Sequence, residues 1–207
     1  MFRNYLKITL RNLWKNKSYS FINIFGLAVG LASCIVILLY VTNELSYDKH
    51  HKKADRIARV ASFIDFSGSY LELATTSAPM GPTLKNDYAA VEDMVRFRPR
   101  GEFHVRSGDT NIKETDIIFS DPTVFNVFTI PVIHGDAETA LSEPYTMAIS
   151  KSKALKYFGK ENVVGESLLL DDEHSYKITA IYEDMPPASH FNFEFLLSME
   201  TNSDEAN

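Results

Sequence analysis

The residues that could do chemistry are few, and their spacing favours no particular reaction. A metal or nucleophilic centre would draw on one cysteine and six histidines, which are Cys34, His50, His51, His104, His134, His174 and His190. They form neither H-E-x-x-H nor the paired spacing that is typical of zinc sites. Neither G-x-S-x-G nor a P-loop occurs, because residues 158–165, FGKENVVG, lack the P-loop order. The sequence therefore predicts no metal ligand, no cofactor-binding residue and no catalytic residue.

The carboxylates give no sign of acid–base chemistry either. The chain has 27 Asp and Glu, but no pair lies in an apolar stretch that would shift a pKa for catalysis. Neighbouring His50 and His51 should point apart on a helix or a strand, and we predict a solvated juncture there. The chain is predicted not to be an enzyme. Because it lacks a P-loop, any ATP that its function requires is predicted to be hydrolysed by another chain.

The most prominent element is an uncharged run at residues 21–41, FINIFGLAVGLASCIVILLYV. Its 21 residues would form a helix about 31 Å long, close to the roughly 30 Å hydrocarbon core of a bilayer. Thirteen of them are Leu, Ile, Val or Phe, and no polar face recurs at helical spacing. The run predicts a transmembrane helix, which we assign with its flanks to residues 18–46.

Two processing alternatives remain open for this run. A secretory signal would have a shorter apolar region and an A-x-A pattern before its cut, whereas residues 40–44 read YVTNE. Residues 31–34, LASC, resemble the lipobox at which bacterial lipoprotein precursors are cut, yet the apolar run continues beyond Cys34. We favour the uncut helix, in which Cys34 is a small residue that faces lipid or another helix.

Charge on the two sides of the helix predicts its orientation. Residues 1–17 carry no acidic residue and five basic ones, which are Arg3, Lys7, Arg11, Lys15 and Lys17. The positive-inside rule therefore places the N-terminus in the cytoplasm and the residues after about 46 on the other side of the membrane. Apolar residues fall on another side of the same stretch, which predicts a cytoplasmic amphipathic helix on anionic membrane lipid.

The remainder of the chain is acidic. After the apolar run 21–41, the chain contains 16 Lys and Arg and all 27 Asp and Glu, a formal net charge of −11. Nucleic acid needs a basic footprint, so it is excluded as a partner.

Gly26 and Gly30 form G-x-x-x-G within the apolar run. Small residues at this spacing let a second helix approach closely. These two glycines are therefore the candidate helix–helix contact.

Residues 47–207 alternate between helical and strand periodicity, which predicts one mixed α+β domain. About 160 residues can bury a sizeable core, and one cysteine cannot form an internal disulfide. Local patterns predict a strand near 56–66, a strand over 91–98, and a helical turn capped by Asp121 with Pro122 first. Residues 146–182 predict a strand, a helix ended by Gly159, and two further strands.

Six segments, taken in order, resemble one protein family. They are NLWKNKSYSFINIFGLAVGLA (12–32), ELSYDKHHKKADRIARV (44–60), APMGPTLKNDYAAVEDMVRF (78–97), FSDPTVFNVFTIPVIHGD (119–136), TMAISKSKALKYFGKENVVGESL (146–168) and YKITAIYEDMPPASHFNFEFLLSM (176–199). This order resembles the MacB/FtsX-like permeases of ABC transporters, particularly the Bacteroidetes-type members. In that family a first membrane helix is followed by a large periplasmic core domain.

The resemblance implies one transmembrane helix in the bacterial cytoplasmic (inner) membrane and a truncated periplasmic core domain after about residue 46, since family members continue into further membrane helices. It implies a permease subunit, or its N-terminal fragment, that couples ATP hydrolysis to a periplasmic conformational change for export or envelope processes. The implied partners are a cytoplasmic ABC ATPase, a second permease subunit in contact at Gly26 and Gly30, and a periplasmic or outer-membrane protein. The alternative is a single-pass, membrane-anchored periplasmic binding or adaptor module.

Overall fold

The computed structural model describes residues 2–99, 101–108 and 110–204, so the ends of the predicted segments 1–17 and 47–207 lie outside it. The chain forms two compact units with their boundary between Tyr47 and Asp48. The first unit holds helices α1 (Phe2–Lys15) and α2 (Lys17–Glu44). Helix α2 has 28 residues, or about 42 Å, and none of them is buried. By length and composition it is a candidate membrane-spanning helix.

The second unit, called the core domain below, mixes helices and strands, which confirms the α+β prediction. Its described elements are a 3₁₀ turn (Ala54–Arg56), β1 (Ser62–Phe66), β2 (Ser69–Leu73), α3 (Met80–Asp87), β3 (Phe97–Pro99), β4 (Phe103–Ser107), β5 (Thr110–Glu114), β6 (Ile117–Ser120), α4 (Val124–Val127), β7 (Val132–Gly135), β8 (Thr146–Ser150), α5 (Lys151–Phe158), β9 (Ser167–Leu170), β10 (His174–Tyr182), β11 (Phe195–Ser198) and α6 (Glu200–Asp204).

Nine of the described strands form one mixed sheet in the order β3-β6-β11-β8-β10-β9-β4-β5, and β7 also pairs with β10. The pairs β6/β11 and β8/β10 are parallel, and the other pairs are antiparallel. Strand β10 pairs with β9 along its first half and with β7 along its second half. Because β8 pairs with that same second half, it must lie along the opposite edge of β10.

Hydrophobic cores cover both faces of this sheet. Successive residues of a strand alternate between them: Phe195 and Leu197 belong to one core, and Leu196 belongs to the other. Strands buried on both faces read as continuous apolar runs, as in IIFS and FLLS. In β10 a register shift between Ile178 and Ala180 interrupts the alternation of side chains between the two faces. Ile178 and Ile181 therefore belong to the same core.

The hairpin β1–β2 is a separate two-stranded sheet with exposed side chains on both faces. Asp65 closes its turn, because its Oδ1 accepts a hydrogen bond from the Gly68 N–H at 2.9 Å. Phe63, Phe66 and Tyr70 remain 73%, 75% and 80% exposed.

Three local predictions need correction. The strand expected near 56–66 begins only at Ser62, and the strand expected over 91–98 begins only at Phe97. Asp121 does not cap α4, whose N-cap position is Thr123. The Asp121 carboxylate instead accepts hydrogen bonds from the backbone N–H of Arg96 at 2.7 Å and from its guanidinium at 2.6 Å. This pair of a buried carboxylate and a half-buried guanidinium ties the segment before β3 to the end of β6.

Candidate functional site

The candidate functional site lies at the start of the core domain, just after the candidate membrane-spanning helix in sequence. Asp48, His50, His51, Thr129 and His190 meet there, and we call these five residues the clasp. They come from three stretches of chain that are far apart in sequence.

Asp48 forms the first half of the clasp. Its backbone N–H donates to the Ala188 carbonyl at 3.0 Å, and its Oδ1 accepts from the His190 backbone N–H at 3.0 Å. Its Oδ2 lies 2.7 Å from His190 Nδ1. Burial works against the charged carboxylate, but the bonds from His190 outweigh it and lower the pKa of Asp48. Asp48 therefore stays ionised and anchors residues 188–190.

His51 forms the second half. Its ring is buried, its Nδ1 accepts from the Thr129 N–H at 3.1 Å, and its edge packs on Phe128 at 5.1 Å between centroids. The next backbone N–H, that of Lys52, donates to Thr129 Oγ1 at 2.8 Å. Burial, helped by His50, lowers the pKa of His51 against the opposing effect of Asp48.

The predicted solvated juncture at His50 and His51 is therefore wrong for His51. The two rings do not point apart, because their centroids lie 3.9 Å from each other. Sequence periodicity could not reveal this, since the turn that starts at Asp48 is neither helix nor strand and the partner of His51 is 78 positions away.

An aromatic cluster joins the clasp to the sheet. Phe128 packs on Phe191 at 4.9 Å, and Phe191 packs on Phe97 of β3 at 5.1 Å between ring centroids. Phe193 extends the cluster, at 5.7 Å from Phe97. Both loops that the clasp holds are thus in contact with the edge strand of the sheet.

A second polar cluster is buried beside α5. Glu114, at the end of β5, accepts hydrogen bonds from Lys153 Nζ at 2.7 Å, Lys156 Nζ at 2.7 Å and Tyr157 Oη at 2.8 Å. Lys153 also lies 2.6 Å from Glu194. Burial opposes the charge on Glu114, but these donors outweigh it and lower the pKa of its carboxyl.

The sequence did not predict this ion cluster, because no pair of carboxylates lies in an apolar stretch of the chain. The signal available was the spacing of Lys153, Lys156 and Tyr157, which lie on one face of α5. The cluster has charges that balance each other and no exposed nucleophile, so we assign it a structural role: it fixes β5 on α5.

The predicted site residues of α2 belong to the first compact unit, whereas both clusters belong to the core domain. An added Cβ at Gly26 or Gly30 would meet no described atom of this chain within 4 Å. The helix–helix contact remains a prediction. In the part of the chain that the structure describes, no group of three or more His, Cys, Asp or Glu could hold a metal ion.

Two solved structures resemble this chain over part of its length. A domain assigned to a permease protein from Porphyromonas gingivalis is 22% identical, with a TM-score of 0.57 over 64% of this chain and 56% of that chain. The periplasmic region of MacB from Actinobacillus actinomycetemcomitans is 10% identical, with a TM-score of 0.47 over 60% and 56% of the two chains. The chain thus spans just over half the length of these structures, and no curated protein matches its sequence.

The model of one protein family matches nearly the whole chain. Its description is MacB-like periplasmic core domain, and the match covers residues 20–206. It therefore begins in α2 and includes every residue of the clasp and of the ion cluster. On this match, the chain belongs to the family of the MacB-like periplasmic core domain.

Proposed function

We propose that this chain is the permease subunit, or the N-terminal part of the permease subunit, of a MacB-like ABC transporter. The observation that carries the proposal is a candidate membrane-spanning helix followed at once by a MacB-like core domain whose first residues are fixed by the clasp. In this function a separate cytoplasmic ATPase moves the membrane helices. The clasp passes that movement to the loops at Thr129 and His190, and so to the sheet.

The proposed topology has α1 on the cytoplasmic face of the inner membrane and the core domain in the periplasm. Exposed Trp14, with Lys17 stacked 5.1 Å from its ring centroid, suits a helix that lies at a lipid interface. The topology is tested with Cys34→Ser as background and a new cysteine at Lys7 or Lys49. An impermeant maleimide added to intact spheroplasts should label K49C and spare K7C, and the reverse pattern would contradict the topology.

The coupling function is tested by purifying the tagged chain from its native membrane. An ATP-hydrolysing subunit should co-purify, and trapping that complex with ATP and vanadate should change hydrogen exchange at residues 48–53 and 128–130. The exposed hairpin β1–β2 serves as the internal control, since no described contact ties it to the clasp. A chain that purifies without an ATPase would contradict the coupling function.

One feature favours the alternative, a single-pass anchored binding or adaptor module. The hairpin β1–β2 presents Phe63, Phe66 and Tyr70 to solvent, and exposed aromatic side chains are typical of protein-binding surfaces. Such a module would bind a periplasmic protein without any ATPase. The same purification separates the two functions.

Pairing of two permease subunits is predicted to depend on the small-residue face of α2. Gly26, Gly30 and Cys34 are four residues apart, so they lie on one face. Replacing both glycines by leucine should reduce oxidative Cys34–Cys34 cross-linking in membranes by at least about tenfold, because two closely packed helices cannot accommodate the added side chains.

The matched control replaces Ala28 and Ala32 by leucine, which adds similar bulk at the same spacing on another face. Cross-linking should persist in this control. Equal cross-linking in both double variants would argue against Gly26 and Gly30 as the contact.

A further inference from the structure

The clasp contains two buried ring nitrogens that have no hydrogen-bond partner among the described residues. They are Nε2 of His50 and Nε2 of His51. The other nitrogen of His51, Nδ1, accepts a hydrogen bond from Thr129 N–H at 3.1 Å and must therefore carry a lone pair. This geometry fixes His51 as the neutral tautomer with its proton on Nε2.

Among the described groups that act on the His51 ring, only Asp48 favours a second proton, and burial and His50 outweigh it. From its own segment His51 faces the ring of His50, at 3.9 Å between centroids, and Asp48, whose carboxylate is engaged by His190. From the loop packed against it come Phe128 and Thr129, and residues 125–131, FNVFTIP, contain no ionisable side chain. A protonated His51 would aim an N–H at the N–H of Thr129, so the two donors would repel each other.

We propose that the clasp opens on one side in acid: protonation of His51 releases its segment from the loop at Thr129, while Asp48 keeps its hold on His190. The first half persists because the Asp48 carboxylate, which is ionised, accepts two hydrogen bonds from His190. Acid would thus leave the clasp closed only at Asp48 and His190. This response belongs to the core domain and holds whatever its partners are.

The direction of the pH effect follows from the His51 ring. Burial lowers the pKa of His51 below its ordinary value of 6.5, with His50 adding to the effect and Asp48 opposing it. The opened segment, which is solvated, binds a proton more readily than the closed one. The closed form is therefore fully favoured above about pH 6.5 and loses stability as the pH falls through the lowered pKa.

The test compares hydrogen exchange of the full chain in detergent at pH 7.5 and pH 5.5 with that of His51→Asn. The asparagine Oδ1 can accept the same bond from Thr129 and does not titrate. Exchange at residues 128–130 should be equal in the two proteins at pH 7.5 and about tenfold faster in the wild type at pH 5.5, since a one-proton equilibrium changes about tenfold per pH unit. Residues 188–191 should stay equally protected in both proteins.

His104→Asn, at an exposed histidine of β4, is the matched control and should keep the wild-type acid response. The proposal is overturned if His51→Asn responds to acid as the wild type does, or if residues 188–191 open together with 128–130. An NMR titration of the His51 ring in the wild-type chain covers the case in which the variant fails to fold. A pKa of His51 at or above 6.5 would then overturn it.

Discussion

The variant Gly135→Ala is expected to destabilise the core domain by more than about 3 kcal/mol. Gly135 ends β7 opposite Ala180 of β10 and has φ +89°, where a side chain is strained. A Cβ added there would lie 2.2 Å from the Thr179 carbonyl oxygen and 2.9 Å from the Ala180 Cα. These are backbone atoms of a strand that is paired along both edges, so they cannot move away without breaking the sheet.

Gly159→Ala is the matched control, because it separates backbone strain from the clash. Gly159 also has positive φ, at +67°, but an added Cβ would meet nothing within 4 Å. Backbone strain alone at this helix C-cap should lower the free energy of unfolding by about 1 kcal/mol. Urea unfolding of the full chain in detergent, followed by pulse proteolysis of the core domain, measures both values. Similar losses in the two variants would refute the close approach at Gly135.

The second large effect is expected for Glu114→Gln. In the same measurement this variant should lower the free energy of unfolding of the core domain by about 3 kcal/mol. The neutral amide removes the charge that two lysines and Tyr157 share, and it leaves Lys153 buried with Glu194 as its remaining anion. Truncating one member of a buried ion cluster is costly because the other charges stay out of water.

The same substitution at Glu102 provides the control. Glu102 pairs with Lys113 at 2.5 Å on the neighbouring strand, and both side chains are more than half exposed. Its loss should change the stability by less than about 0.5 kcal/mol. Equal losses of unfolding free energy in the two variants would show that the burial of Glu114 does not increase its contribution to stability.

Acid should also distinguish Glu114→Gln from the wild type. Because the pKa of Glu114 is lowered on folding, its contribution is complete above the ordinary carboxyl value of 4.5 and is lost as the pH falls through the lowered value. The variant lacks this part of the acid response, so the gap in stability between the two proteins should narrow below about pH 4.5.

Local patterns in the sequence predicted the parts of the fold that local physics determines. An uncharged run of helical length predicted α2, and Gly159 marked the end of α5, where it takes up the left-handed conformation. Contacts between distant residues could not be predicted in this way. The Asp121 carboxylate could cap a helix or form an ion pair. Only the tertiary structure brings Arg96 close enough to donate hydrogen bonds to it.

The candidate site was hidden for the same reason. His51 depends on Thr129 and Asp48 depends on His190, which are 78 and 142 positions away in sequence. No short motif connects such residues. The family resemblance directed attention to the region as a post-membrane juncture, but it gave no role to either histidine.

The position of β11 in the sheet has a consequence for how the protein is made. Although β11 is the last strand in the described chain, it lies between β6 and β8 in the interior of the sheet. Until Ser198 has been synthesised, the apolar edges of those two strands remain unpaired and prone to aggregate. Folding of this sheet must therefore wait until β11 has been made and proceed through distant, partly parallel pairings, which makes it slow. A nascent chain that pauses before this strand should need a chaperone, and it should be an early target for proteases.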